Sequence, residues 1–188
     1  MSTLVVDELQ GPQEANHVIA LPNNTTLYTP GQTIQTVWRK FQTVQTYNSY
    51  NDNISREISG LNVTITLKKA TSKVLLKWWI FYEAHHDITF QAIRDSTVIG
   101  YNTEVGNVRY SGMGAADYEH SHDQNSTPTY QHHCWIDTPG GVGPYTYKIG
   151  SRSSTASQYD IRMNRSWNGP SDSHEVGCSW CIVEEIAQ

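Results

Sequence analysis

Charge is scarce in this sequence. Asp, Glu, Lys and Arg make up only 16% of its 188 residues, and the formal net charge is −5. No cluster of Lys and Arg is present to grip a phosphate backbone, which argues against nucleic acid as a partner. Long apolar runs are also missing, so no segment is expected to insert into a membrane as a helix. The opening residues Met1-Ser2-Thr3-Leu4-Val5-Val6-Asp7-Glu8 have neither the basic start nor the sustained apolar core of a signal peptide. Without a secretory route, Asn-x-Ser/Thr triplets such as those at Asn23, Asn24, Asn62, Asn125 and Asn164 read as ordinary turn and strand residues. Cysteine is too rare and too odd in number for a disulfide-built scaffold: Cys134, Cys178 and Cys181 permit one bridge at most. Helical periodicity of useful length is absent. So are a nucleophile elbow, a phosphate-binding glycine loop and a dinucleotide fingerprint, and no cofactor is expected. Carboxylates at Glu83, Asp87, Glu104, Asp117 and Glu119 fall in or beside loops, but no spacing makes an acid/base pair of any two. The chain is therefore not expected to be an enzyme.

What the sequence has is alternation. Leu61-Asn62-Val63-Thr64-Ile65-Thr66-Leu67 alternates apolar with polar, as does Ile88-Thr89-Phe90-Gln91-Ala92-Ile93-Arg94, and each such run implies one buried and one wet face. A first strand is expected over 34–46, followed by a polar turn at 47–53 and a short strand at 54–58. The longer, more apolar run 73–82 reads as a central strand. Asp95-Ser96 turns the 88–94 run back into Thr97-Val98-Ile99-Gly100 as a hairpin. Residues 101–129 are poorly patterned and read as functional surface or a mobile stretch. Strands resume at 129–137, 145–150, 159–164 and 176–186. Eight to ten antiparallel strands in a chain of 21.3 kDa predict one all-β domain, a jelly-roll β-sandwich or a close relative. The division expected is an N-terminal segment at 1–30 and a jelly-roll domain at 31–188. Residues 1–34 bury too little to fold alone, but their apolar patches Leu4-Val5-Val6 and Val18-Ile19-Ala20-Leu21 suit them to be held by a partner chain.

Three groups of side chains invite a functional reading. His120, His122 and Asp123 are the weak metal candidates, because residues two apart share a face in an extended segment. His85/His86 and His132/His133 do not qualify, since adjacent strand residues point opposite ways; polar loop histidines are the simpler reading. Cys178-x-x-Cys181 has redox spacing but no helix start and no second cysteine pair, and Cys134 reads as core. Aromatics weigh more. Six Trp and 11 Tyr exceed what one small core needs. Trp78 and Trp79 must face opposite ways, so one is core and the other needs cover, which a flanking subunit would supply. Tyr101, Tyr110, Tyr118 and Trp167 lie in loops, where stacking on a receptor's sugar rings competes with a plainer role at interfaces and edges, and the plainer role is favoured. Asn164 and Arg165 are expected to brace a turn.

The order of the strands resembles a known group. Gly31-Gln32-Thr33-Ile34-Gln35-Thr36-Val37, Ile58-Ser59-Gly60-Leu61-Asn62-Val63-Thr64-Ile65 before Ser72-Lys73-Val74-Leu75-Leu76, and Phe90-Gln91-Ala92-Ile93-Arg94-Asp95-Ser96-Thr97-Val98-Ile99-Gly100 resemble head domains of phage virion proteins. These are tail-fibre, spike and capsid-fibre heads of marine and cyanobacterial phages. Thr146-Tyr147-Lys148-Ile149, Met163-Asn164-Arg165-Ser166 and Ile182-Val183-Glu184-Glu185-Ile186-Ala187 continue the likeness over residues 31–187. The resemblance implies a head akin to tumour-necrosis-factor and complement-type jelly rolls, assembled as a homotrimer in the virion. It implies contact with a host surface glycan or protein through loops 47–57, 83–88, 101–129 and 165–175. It also implies a head at 31–188 with an N-terminal attachment or stalk segment at 1–30, and attachment to other virion proteins through residues 1–34. An architectural capsid fibre, decoration protein or tail adaptor is the alternative, and a glycan-binding or glycan-cleaving sandwich the third. The His-rich 101–129 stretch and the two C-terminal cysteines depart from the pattern, and the resemblance supplies no catalytic residue.

Overall fold

A computed structural model describes residues 29–49, 54–84, 88–104, 111–115, 127–153, 159–169 and 174–188. They form twelve strands: β1 (Thr33–Phe41), β2 (Gln45–Ser49), β3 (Arg56–Glu57), β4 (Val63–Ile65), β5 (Lys73–Glu83), β6 (Ile88–Arg94), β7 (Thr97–Val98), β8 (Gly114–Ala115), β9 (Thr129–Asp137), β10 (Tyr145–Ser153), β11 (Tyr159–Met163) and β12 (Ser179–Ile186). Alternation sets each strand's two faces. In β5, Val74, Leu76, Trp78 and Ile80 are fully buried while Leu75, Lys77, Trp79 and Phe81 turn to the other side. In β12, Cys181 and Val183 go inward, and Trp180, Ile182 and Glu184 outward.

Two sheets of six strands result. In the first, β1 and β2 share one lane, β12 and β11 the next, then β5, then β9. In the second, β4 and β3 share a lane, followed by β10, β6, and β7 with β8. With the eight lanes numbered as the chain visits them, the first sheet reads 1-8-3-6 and the second 2-7-4-5. This all-β sandwich has the strand order of a jelly roll, two interlocked Greek keys. Its core lies between the sheets, where Val74, Leu76, Trp78, Ile80 and Tyr82 meet Phe90, Ala92, Tyr147 and Ile149, with Ile58 and Leu61 closing one side.

Several elements differ from the sequence expectation. The single strand at 34–46 is broken at 42–44, and its continuation runs to Ser49 where a turn was expected. Asn164 causes the break. Fully buried with φ 62°, it donates through Nδ2 to the carbonyls of Phe41 and Thr43 (3.0 Å each) and accepts from Ser179 Oγ (2.7 Å), so it holds three lanes together. The expected bracing role of Asn164 is thus seen directly. The strand at 61–67 shrinks to β4, and β10 runs on to Ser153. The 88–98 hairpin is as expected, with Asp95 at φ 54° in its turn.

β6 is buried on both faces from Ile88 to Ile93, and residues 99–100 and 111–113 bond along it. Ile99 and Gly100 N–H donate to Ala92 O (2.8 and 3.0 Å), Met113 N–H to Phe90 O (2.8 Å), and Gln91 Nε2 to Ser111 O (2.6 Å). Gly112 sits so close to Thr89 and Phe90 that no side chain fits there. Part of the irregular 101–129 stretch is therefore a cover, although 105–110 and 116–126 lie outside the described residues, as do 1–28. At one end of the sandwich Gly31 N–H bonds to Ala187 O (2.9 Å) and Ala187 N–H to Gln32 O (2.8 Å), which places the beginning and end of the domain side by side.

Candidate interaction surface

The outward side chains of the first sheet form one apolar and aromatic face. Cross-strand register sets its rows: Trp38 opposite Ile182, Ile182 opposite Lys77 and Lys77 opposite Cys134; then Lys40, Trp180, Trp79 and His132; then Thr36, Glu184, Leu75 and Ile136; and Phe81 beside Tyr130. Rings meet along it. Trp38 and Trp180 lie 5.9 Å apart, Trp79 and His132 5.5 Å, Tyr130 and His132 5.2 Å, and Phe81 and Tyr130 6.5 Å, with Lys40 Nζ 5.3 Å over the Trp180 ring. Lys77 and Glu184 on this face pair at 2.6 Å. Trp38 is 63% exposed, Ile136 62% and Tyr130 50%. Trp78 is core and Trp79 lies on the open side, as the sequence required.

Beyond β12 the face ends at Trp167. The Arg162 guanidinium lies 4.6 Å over its ring, and its N–H donates 2.7 Å to the buried Glu83 carboxylate. Arg162 is held in turn by Asp160 (3.0 Å) and Thr46 Oγ1 (2.7 Å). Tyr101 is half-buried at the start of the covering segment and far in sequence from this cluster. Tyr110, Tyr118, His120, His122 and Asp123 lie outside the described residues. Trp38, Trp180, Tyr130 and Ile136 were not singled out from the sequence, although their strand phase, opposite to Val37, Cys181 and Asp137, marks them as outward.

The cysteines are all free, and the reading of Cys134 as core is corrected: it is exposed on the outer face of β9, because the inward phase of that strand belongs to His133 and Asp137. Cys181 is buried, and burial pushes its thiol up to about 12. His132 faces out and His133 in, so they do not chelate together. Burial, then the neighbouring His132, pushes the His133 imidazole down to about 4. Its ring packs 4.8 Å from Phe90, and its Nε2 has no partner among the described residues. Among those residues no three His, Cys, Asp or Glu side chains gather to hold a metal ion, and no helix is long and apolar enough to cross a membrane. A groove of about 590 Å³ runs over the second sheet, lined by Ile54, Ser55, Glu57, Ile93, Lys148 and Arg152 among others. There Glu57 and Lys148 pair at 2.8 Å and Asp95 Oδ1 accepts from Thr146 N–H, which ties two of its carboxylates into structure.

The free edge of the first sheet is β9. Phe81 shows which backbone groups it offers. Its N–H donates to Ser179 Oγ and its carbonyl accepts from Asn164 N–H, both on the side of β11 and β12. Alternate residues of a strand bond to alternate sides. Ile80 and Tyr82 therefore bond toward β9, and through the uniform register so do Trp78, Leu76 and Val74. Their partners Thr129, Gln131, His133, Trp135 and Asp137 point back to β5. Tyr130, His132, Cys134 and Ile136 then present their N–H and C=O groups outward, and among the described residues no strand pairs with that edge.

No protein-family model matches the chain, and no curated protein matches it. Among solved structures it is similar to chains of infectious bursal disease virus. For the Gt strain the identity is 13% and the TM-score 0.33, over 91% of this chain and 42% of that one. For T=1 particles derived from infectious bursal virus the figures are 13% and 0.34, over 100% and 44%. For the Gx strain they are 10% and 0.31, over 91% and 42%. The chain thus spans less than half the length of these proteins, and scores this low mark a loosely similar chain course rather than shared function.

Proposed function

We propose that the chain is a non-catalytic, architectural component of a virus particle, a jelly-roll unit that packs against copies of itself and against other virion proteins. The observation that supports this reading is the outer face of the first sheet, with Trp38 at 63% and Ile136 at 62% exposure beside Trp180, Ile182, Trp79 and Phe81. A contiguous apolar face of this kind marks an interaction site on a soluble domain. Each large apolar side chain covered there contributes about 1.5–3 kcal/mol. The likeness of the strands to phage heads supplies the context: a capsid fibre, decoration protein or tail adaptor, assembled in the host cytoplasm, with the heads grouped in threes and residues 1–34 reaching the next virion protein.

Light scattering of the full chain tests this. The expected mass is a multiple of three times 21.3 kDa. Trp38→Ser combined with Ile182→Thr is expected to keep the β-sheet circular dichroism and lose the threefold species. A wild-type monomer, or a double variant that assembles normally, counts against the reading.

Host contact at a fibre or spike tip is the second reading, favoured by Trp167, whose half-buried ring is held by Arg162 at the end of the sheet. That ring would offer one aromatic plane to a surface glycan. Trp167→Ala abolishing adsorption to host cells while leaving assembly intact is the outcome this reading needs.

A further inference from the structure

The open edge of β9 has an internal symmetry. Its outward backbone groups belong to Tyr130, His132, Cys134 and Ile136, spaced evenly about His133. We propose that two copies of the chain join edge to edge through β9, antiparallel, on a twofold axis at His133. The inference goes beyond the architectural reading and does not depend on the threefold packing.

The geometry runs as follows. An antiparallel pair centred on His133 sets His132 against Cys134 of the second copy, and Tyr130 against Ile136 of the second copy, each of these occurring twice. His133 faces its own copy as a non-hydrogen-bonded pair, as it must, because its N–H and C=O are engaged with Trp78 on β5. The other four residues then sit in hydrogen-bonded pairs, and every outward N–H and C=O of the edge finds a partner. A register shifted by one residue sets inward side chains against outward ones and leaves the free groups facing engaged ones.

Side chains agree with the backbone. Tyr130 and Ile136, 50% and 62% exposed, lie against each other across the axis. The one inward charge of the strand, Asp137 at its end, is taken up by Arg94 and Tyr147, and the rest of the strand lacks the devices that keep edges apart. Over 129–136, TYQHHCWI, it has no Lys, Arg, Glu or Pro, and its register with β5 is unbroken. The lane at the opposite side of the sheet differs: β1 carries Arg39 and Lys40, its register shifts between Thr33 and Gln35, and Gln35 Nε2 reaches across to Thr66 O (2.7 Å). The interface is isologous, so it closes as a pair rather than growing into a fibre. It also fuses the two aromatic faces into one.

Cys134→Pro is the direct test. Proline there removes only an outward N–H, which an edge strand tolerates, whereas the pairing loses two bonds and gains two rings in its path. With threefold packing also present, the full-length wild type is expected as six copies and Cys134→Pro as three, each retaining its circular dichroism. A dimer falling to a monomer supports the edge pairing and overturns the trimer. Three wild-type copies overturn the edge pairing and leave the architectural reading standing, and a wild-type monomer overturns both. A gain-of-contact variant guards against a folding artefact. His132→Cys puts a thiol opposite Cys134 of the second copy, within the Cα separation a disulfide spans. With oxidised glutathione it is expected to yield a dimer on a non-reducing gel, while Tyr130→Cys, which faces Ile136, is expected to yield no more than wild type. Equal cross-linking of the two variants, or an unchanged mass for Cys134→Pro, overturns the proposal.

Discussion

His133 and Glu185 show two ways of burying a polar group in this sandwich. Burial alone would raise the Glu185 carboxyl, but donors from Lys68 N–H, Ser72 Oγ, Gln35 Nε2 and Lys69 N–H surround it and hold it below the usual range. His133 has no such ring of partners. It stays neutral because the charged form cannot be solvated, and its value falls from 6.5 to about 4. In the unfolded chain the imidazole regains its ordinary value, so the unfolded state binds the extra proton first as pH drops. Stability is complete above pH 6.5 and declines as pH falls toward 4, by an amount on the order of 3 kcal/mol. Thermal melts stepped from pH 7 to 4.5 are expected to show this slope, and His133→Leu to flatten it between pH 6.5 and 5. Below that, loss of the Glu185 and Glu57 carboxylates adds a second decline, since both are held low in the fold. A wild-type melt that is level across pH 6.5 to 5 would contradict the buried, unpartnered state of His133.

The elements legible in the sequence were those whose alternation is strongest. β5, β6 and β9 fall within a residue of expectation, and in β5 and β6 apolar residues at every second position explain it. β1 and β2 were read as one strand because the signal for the break lies 120 residues away, in the left-handed Asn164. The cover over β6 was illegible for the same reason: its hydrogen bonds come from Ser111 and Met113, in a segment without period. Strand position also sets a measurable pattern. β5 has neighbours on both sides, so amides of both parities are expected to resist hydrogen exchange. On β9 the parities separate. In Cys134→Pro, Gln131, His133 and Trp135 are expected to exchange slowly, and Tyr130, His132 and Ile136 quickly; in wild type the second set slows if edges are paired. Uniform protection along β9 in the proline variant would show that some other segment covers the edge.

At the scale of the molecule, neighbours in space are distant in sequence. β1 pairs with β12 and β12 with β5, so β12 lies inside the first sheet between strands more than 90 residues before it. Such order makes folding slow, on the order of milliseconds to seconds, since long loops must close before contacts repay them. The candidate surface was half legible. An excess of aromatics and the opposed Trp78 and Trp79 announced that a second cover was needed, but which rings share the open face depends on register, and only the pairing of β1, β12, β5 and β9 sets it. The meeting of Gly31 with Ala187 has a consequence of another kind. With Gly31 and Ala187 held side by side, a short linker can run from the end of β12 to the residues before β1. A circular permutant that joins Gln188 to Thr29 by a few glycines and opens at Gly140 and Gly141, between β9 and β10, is expected to recover the same near-ultraviolet spectrum. Recovery of that spectrum would show that the pairing of the strands, and not the point at which the chain is broken, specifies the sandwich.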